Sequence, residues 1–389
     1  MSELRDVAVA GSMLLAALGC APEETVPLCD AEAAAGCLVD QRGCELQEGA
    51  PACVPCAAGT RADLRGACAP IPGTAMSHAF PEVESAAGEE IIGLCRSWTL
   101  GNETELWVHA VELRQDEASH HSNWMFVPDD FFDGPDGVWP CAERDYHQLN
   151  AALAGGVLYA QSTQAEREVQ LFPEGAAIRL PPHARIISDV HVLNTTAETI
   201  RGHADLAIYT IPREQVTIPL APFHIDYHAL DIPARSHARF VTECALRDEV
   251  EAATGMPFRM RLHYALPHTH ALGTRVFLQA IGGPRDGEML LDVSGYNGEA
   301  RGRFYEPPID LDGITGLRFG CEFMNPRAES VQWGFDDQEM CEMLGFLESA
   351  AAFESRVSET TSMRMDGEVH EFSGNCESFI IPWDDRHGT

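Results

Sequence analysis

The sequence contains no lysine: all 26 basic residues are arginine, from Arg5 to Arg386, set against 60 acidic ones. Without lysine there is no Schiff base, no anchor for pyridoxal phosphate and no Walker lysine. A formal charge of −34 over 389 residues repels a phosphate backbone, so nucleic acid is excluded as a partner. HExxH, G-x-S-x-G, G-x-G-x-x-G and P-loop signatures are missing as well. So are long segments of helical period. The apolar run at residues 7–18 is too short to span a bilayer.

That run suits the hydrophobic region of a secretory signal. It ends in Ala17-Leu18-Gly19-Cys20, which resembles a bacterial lipoprotein cleavage box, so residues 1–20 are expected to be a signal peptide and the protein to be exported, either as a cell-envelope lipoprotein lipidated on Cys20 or in secreted form. Ala17 stands where leucine is usual, and the start carries no positive excess. Of the 13 cysteines, Cys29, Cys37, Cys44, Cys53, Cys56 and Cys68 crowd together and Cys95, Cys141, Cys244, Cys321, Cys341 and Cys376 are spread thinly. Export makes two even sets disulfide frameworks. Cys53-Val54-Pro55-Cys56 would be half a zinc ribbon, but no second CxxC completes one. Residues 29–68 therefore form a small cysteine-rich module, stapled mainly by its bridges. Pro70, Pro72, Gly73 and Pro81 mark residues 69–89 as a linker.

From Ile91 onward the chain reads as short alternating or β-branched runs, such as residues 105–111, 184–192 and 206–211, separated by turn residues. The expected fold is all-β: two tandem antiparallel jelly-roll-like β-sandwich domains, residues 90–215 and 216–385, with a break near residues 212–222. Residues 342–351 read as a helical exception.

Histidines supply the chemistry. In Pro267-His268-Thr269-His270 the rings stand at i and i+2, so on a strand they share a face and can hold one metal. The carboxylate of an iron facial triad is missing, since Thr274 and Arg275 occupy its region. His120-His121 needs a bulge or turn before its rings can share an ion. His191 and Met340, each taken alone, read as core residues, and His147, His224, His228 and His263 as structural.

Taken in order, His120-His121, His191, His268-x-His270 and Met340 resemble the copper ligands of the copper type II ascorbate-dependent monooxygenases, the family of peptidylglycine α-hydroxylating and dopamine β-monooxygenase. The likeness runs over about residues 90–376, with Ala271-Leu272-Gly273, Pro173-Glu174-Gly175 and Glu339-Met340-Cys341 as flanking matches. It implies disulfides Cys95–Cys141, Cys244–Cys376 and Cys321–Cys341. It implies two coppers per chain in separate sandwich domains: an electron-transfer copper on His120, His121 and His191, and an oxygen-activating copper on His268, His270 and Met340. Ascorbate or another one-electron donor reduces both, and O2 hydroxylates a substrate C–H bond. Three imidazoles suit both oxidation states of copper, and a thioether favours Cu(I).

The peptide-amidating members carry an arginine two residues before the HxH, and an asparagine and tyrosine after the Met-Cys. Here those positions are Leu266, Glu342 and Leu344. Losing a guanidinium and gaining an anion argues against a peptide carboxylate and for an amine or a neutral, partly apolar small molecule. The rival readings are an exported copper-binding protein of the same fold without turnover, and a purely structural double sandwich.

Overall fold

The computed structural model describes residues 29–116, 119, 122–162, 165–295, 300–334 and 337–383. His120, His121, Cys20 and the expected signal segment lie outside them. The chain divides into two compact units between Ala69 and Pro70.

In the first unit a helix, Ala31–Leu38, is capped by Asp30, whose Oδ1 accepts the Ala33 N–H at 2.9 Å. A hairpin of Gly43–Gln47 and Ala50–Val54 follows. The small core consists of Ala34, Cys37 and Cys44. Three disulfides, Cys29–Cys44, Cys37–Cys53 and Cys56–Cys68, stand in for the apolar burial that so short a segment lacks.

The second unit is built on three sheets of five, six and eleven strands. Its strands run where the alternation places them: Leu106–Gln115, Ala184–Leu193 and Ala204–Thr210. The eleven-stranded sheet passes through both halves, because Ile218–Tyr227 pairs in parallel with Ala176–Leu180 of the N-terminal half. The two β-sandwiches therefore share a sheet across the 215/216 boundary. The strand Glu342–Ser349 shows how: Leu344 and Phe346 pack into the core beneath the five-stranded sheet, while Met343 and Leu347 pack into the core beneath the six-stranded one. Cys95–Cys141, Cys244–Cys376 and Cys321–Cys341 are bonded, so every cysteine among the described residues is paired. Six disulfides are the mark of a protein that folds in an oxidising, extracytoplasmic compartment. No helix of the described residues is long and apolar enough to cross a membrane.

Two expectations are corrected. Residues 69–89 are not a linker, because Thr74–Ala79 adds to the large sheet beside Ala204–Thr210 and Val83–Ser85 pairs with Ile200–Gly202. Gly73 explains the close entry: at φ +111°, a Cβ there would stand 2.8 Å from the Thr210 carbonyl oxygen. Nor are residues 342–351 helical. Glu342–Ser349 is hydrogen-bonded on one side to Met260–His268 and on the other to Ile218–Tyr227. A short apolar run is ambiguous by period, and two waiting sheet partners decide it. Gly345 lies flat against Phe223, where a Cβ would come within 2.3 Å of the ring.

Candidate functional site

Met260–His268 and Glu342–Ser349 are antiparallel neighbours with His268 opposite Glu342. Carrying that register one pair further along the same face sets His270 opposite Met340. The pairing does not continue as a ladder, since the chain turns after His270. A side chain makes the connection instead. The buried Glu339 carboxylate accepts the His270 N–H at 2.8 Å through Oε2 and the Leu272 N–H at 2.6 Å through Oε1. Burial pushes the Glu339 pKa up to about 7, against the lowering pull of the N–H donors of Leu272, His270 and Met340.

The ring contacts suit metal ligation. His270 Nδ1 donates to the Gln338 carbonyl at 2.8 Å, which puts the proton on Nδ1 and makes Nε2 the lone-pair atom of the neutral ring. Burial lowers the His270 pKa, the Gln338 bond and the Glu342 charge opposing it, so the ring is neutral. His268 Nδ1 shares a 2.9 Å hydrogen bond with Ser162 Oγ. The two rings lie 5.3 Å apart at 78°. Met340 is buried, and it directly follows Glu339 in the chain. Two imidazoles and a thioether form a soft donor set that fits copper(I).

His191 sits where the ladder between Ala184–Leu193 and Glu90–Thr99 shifts register between Val190 and Val192. Such an irregularity re-aims a side chain. Its Nε2 lies 2.7 Å from Glu90 Oε1. Among the described residues no group of three or more His, Cys, Asp or Glu is arranged to hold a metal. The three-histidine set has two members outside those residues, and the other set is completed by methionine.

A cavity of about 620 Å³ joins the two halves of this unit. Its walls include His191 and Asp189 from the N-terminal half and Met340, Glu342 and Leu344 from the C-terminal half. Leu266 does not reach it: although opposite Leu344 on the neighbouring strand, it is packed in the core with Tyr264 and Phe346. The expected contact at Leu266 is thus corrected, since that stretch of the strand is covered by the N-terminal core.

The cavity also exposes groups set aside as structural. His224 Nδ1 lies 2.5 Å from Glu354 Oε1, and its Nε2 lies 3.7 Å from Glu342 Oε2. Burial alone would depress the His224 pKa, but the two carboxylates outweigh it and hold the ring protonated, well above its ordinary value. Next on the same strand face, Asp226 accepts from Trp333 Nε1 at 3.1 Å and lies 3.3 Å from His228 Nδ1 and 3.5 Å from Arg356 Nε. The signal for these residues was present in Phe223-His224-Ile225-Asp226-Tyr227-His228: polar side chains at every second position of an apolar strand mark one polar face.

No family model matches the chain. No curated protein matches it either. Among solved structures it is similar to the major capsid protein P2 of bacteriophage PM2, at 10% identity over 71% of this chain and 98% of that one, with a TM-score of 0.32. It is also similar to the PBSX exported protein XepA, at 7% identity over 70% of this chain and 86% of that one, with a TM-score of 0.19. At those scores the likeness carries no argument about function.

Proposed function

We propose that this chain is an exported two-copper monooxygenase that hydroxylates a substrate C–H bond with O2 and a one-electron donor such as ascorbate. The observation that carries this reading is the junction of Met340 and the His268-x-His270 turn through Glu339, with Met340 itself lining a cavity whose other wall carries His191. Copper, when bound, supplies one-electron chemistry and, at the soft site, activation of O2. His268, His270 and Met340 would hold one ion, and His191 with His120 and His121 the other. The protein's own work is positional. Gln338 fixes the tautomer of His270, Ser162 and Gln338 orient the two rings, and Glu339 fixes the backbone between them and Met340.

The cavity's ionisable lining favours particular substrates. Asp189, Asp226, Glu342 and Glu354 face Arg356 and four histidines there. Leu344 offers no donor to a carboxylate. A substrate ending in a carboxylate is therefore disfavoured against an amine or a neutral, partly apolar molecule. A lipid on Cys20 would tether the enzyme to the cell envelope.

The test is metal analysis of the purified protein followed by ascorbate-dependent oxygen uptake over a substrate panel. Two coppers per chain with substrate-dependent uptake are expected. Zinc or a single iron would overturn the assignment, and two coppers without uptake on any substrate would leave a copper carrier.

A further inference from the structure

We infer that the hairpin of Thr360–Asp366 and Val369–Asn375 carries a separate surface site for Cu(I), made by Met363, Met365 and His370. The inference stands on these residues alone and does not need the cavity to be catalytic. Thr360–Asp366 is the edge strand of the six-stranded sheet. Its register sets Met363 opposite Phe372, Arg364 opposite Glu371 and Met365 opposite His370.

Residues directly opposite share a face, and the face alternates along the strand. Arg364 Nε donates to Glu371 Oε1 at 2.7 Å, and Arg239 Nη1 reaches Asp366 Oδ2 and Glu371 Oε2 at 2.9 Å each. That network occupies one face and anchors the edge strand. Met363, Met365 and His370 consequently share the other face. There the imidazole is oriented by stacking: Phe240 and Phe372 lie 4.8 Å apart at 13°, and His370 continues the column 6.5 Å beyond at 12°.

Both methionines are more than half exposed, at 57% and 53%. Burying either would be favourable, so their exposure needs another explanation. Single exposed apolar residues are ordinary on a protein surface. Two thioethers at i and i+2, with an imidazole directly across from one of them, form instead a donor set. Opposed Cβ atoms stand about 4.5–5.5 Å apart in such a ladder, and the long, unbranched methionine side chain adapts to meet a shared ion. Two soft sulfurs and one nitrogen select Cu(I), or its surrogate Ag(I), over zinc, calcium or magnesium. Because the sulfurs are open to solvent, the ion can be exchanged with a chelate in solution.

The experiment uses the full exported chain with its disulfides intact. Cu(I) is titrated anaerobically against a chromogenic bicinchoninate competitor, with Met363→Ile/Met365→Ile and His370→Phe compared with the parent. One equivalent should be lost or weakened at least tenfold in both variants, while the equivalents lost in a Met340→Ile protein are kept. In parallel, the methionine methyl carbon resonances of Met363 and Met365 should shift on adding one equivalent of Ag(I). Unchanged stoichiometry and affinity in the double variant, or unmoved resonances, would overturn the site. A Met340-dependent equivalent that is lost in Met340→Ile, together with a further equivalent that persists in both the Met363→Ile/Met365→Ile and the His370→Phe proteins, would refute this proposal while leaving the cavity reading intact.

Discussion

Glu339 Oε2 accepts the backbone N–H of His270 at 2.8 Å, joining the residue that precedes Met340 to the second histidine of the HxH. Removing that carboxylate should loosen the soft site without touching a ligand. Outer contacts of this kind are worth about ten- to a hundredfold in metal affinity. Glu339→Ala is expected to weaken copper at His268, His270 and Met340 by that order in Cu(I) competition. An unchanged affinity would show that the turn is held by its strands alone.

Met340→Ile removes the thioether and keeps the volume. Turnover should vanish while copper at the three-histidine set, followed by paramagnetic resonance of the oxidised protein, remains. Retained turnover would exclude Met340 as a ligand.

His224 lies between Glu354 and Glu342, and removing it would leave buried carboxylates unpaired. His224→Gln should cost about 3–5 kcal/mol in urea unfolding. The pH dependence follows from the raised His224 pKa. A histidine whose folded value exceeds its unfolded value contributes fully below the unfolded value of about 6.5. That contribution is lost as pH rises through the folded value. The difference between parent and variant should therefore be largest near pH 6 and shrink in alkaline solution, and a gap that grew with pH would contradict the pairing.

The six disulfides account for all cysteines from Cys29 to Cys376. Thiol titration of denatured, unreduced protein starting after Cys20 should find no free thiol. Several reactive thiols would break the framework and the export argument with it.

Peptides ending in glycine should be poor substrates. A buried carboxylate left without a paired cation loses a few kcal/mol, or roughly a hundredfold in affinity. Oxygen uptake with a glycine-extended peptide is to be compared with uptake on an aryl-alkyl amine, in the parent and in Glu342→Gln. Efficient peptide hydroxylation would refute the reading of the cavity, and an amine rate indifferent to the substitution would remove Glu342 from recognition.

The primary sequence by itself determined that the protein is all-β and disulfide-framed, because alternation along a strand and cysteine count are local properties. The order His191, His268-x-His270, Met340 was equally legible, being a linear pattern. Only the tertiary structure decided that residues 342–349 extend rather than coil, since two neighbouring strands supply the hydrogen bonds that a short apolar run cannot specify. It also decided that residues 74–79 are sheet and not linker. Above all, it turned His224, Asp226 and Glu354 from scattered polar residues into one cavity wall. Glu354 is 130 residues from His224 in the chain, and contact across that separation is fixed by the pairing of whole strands.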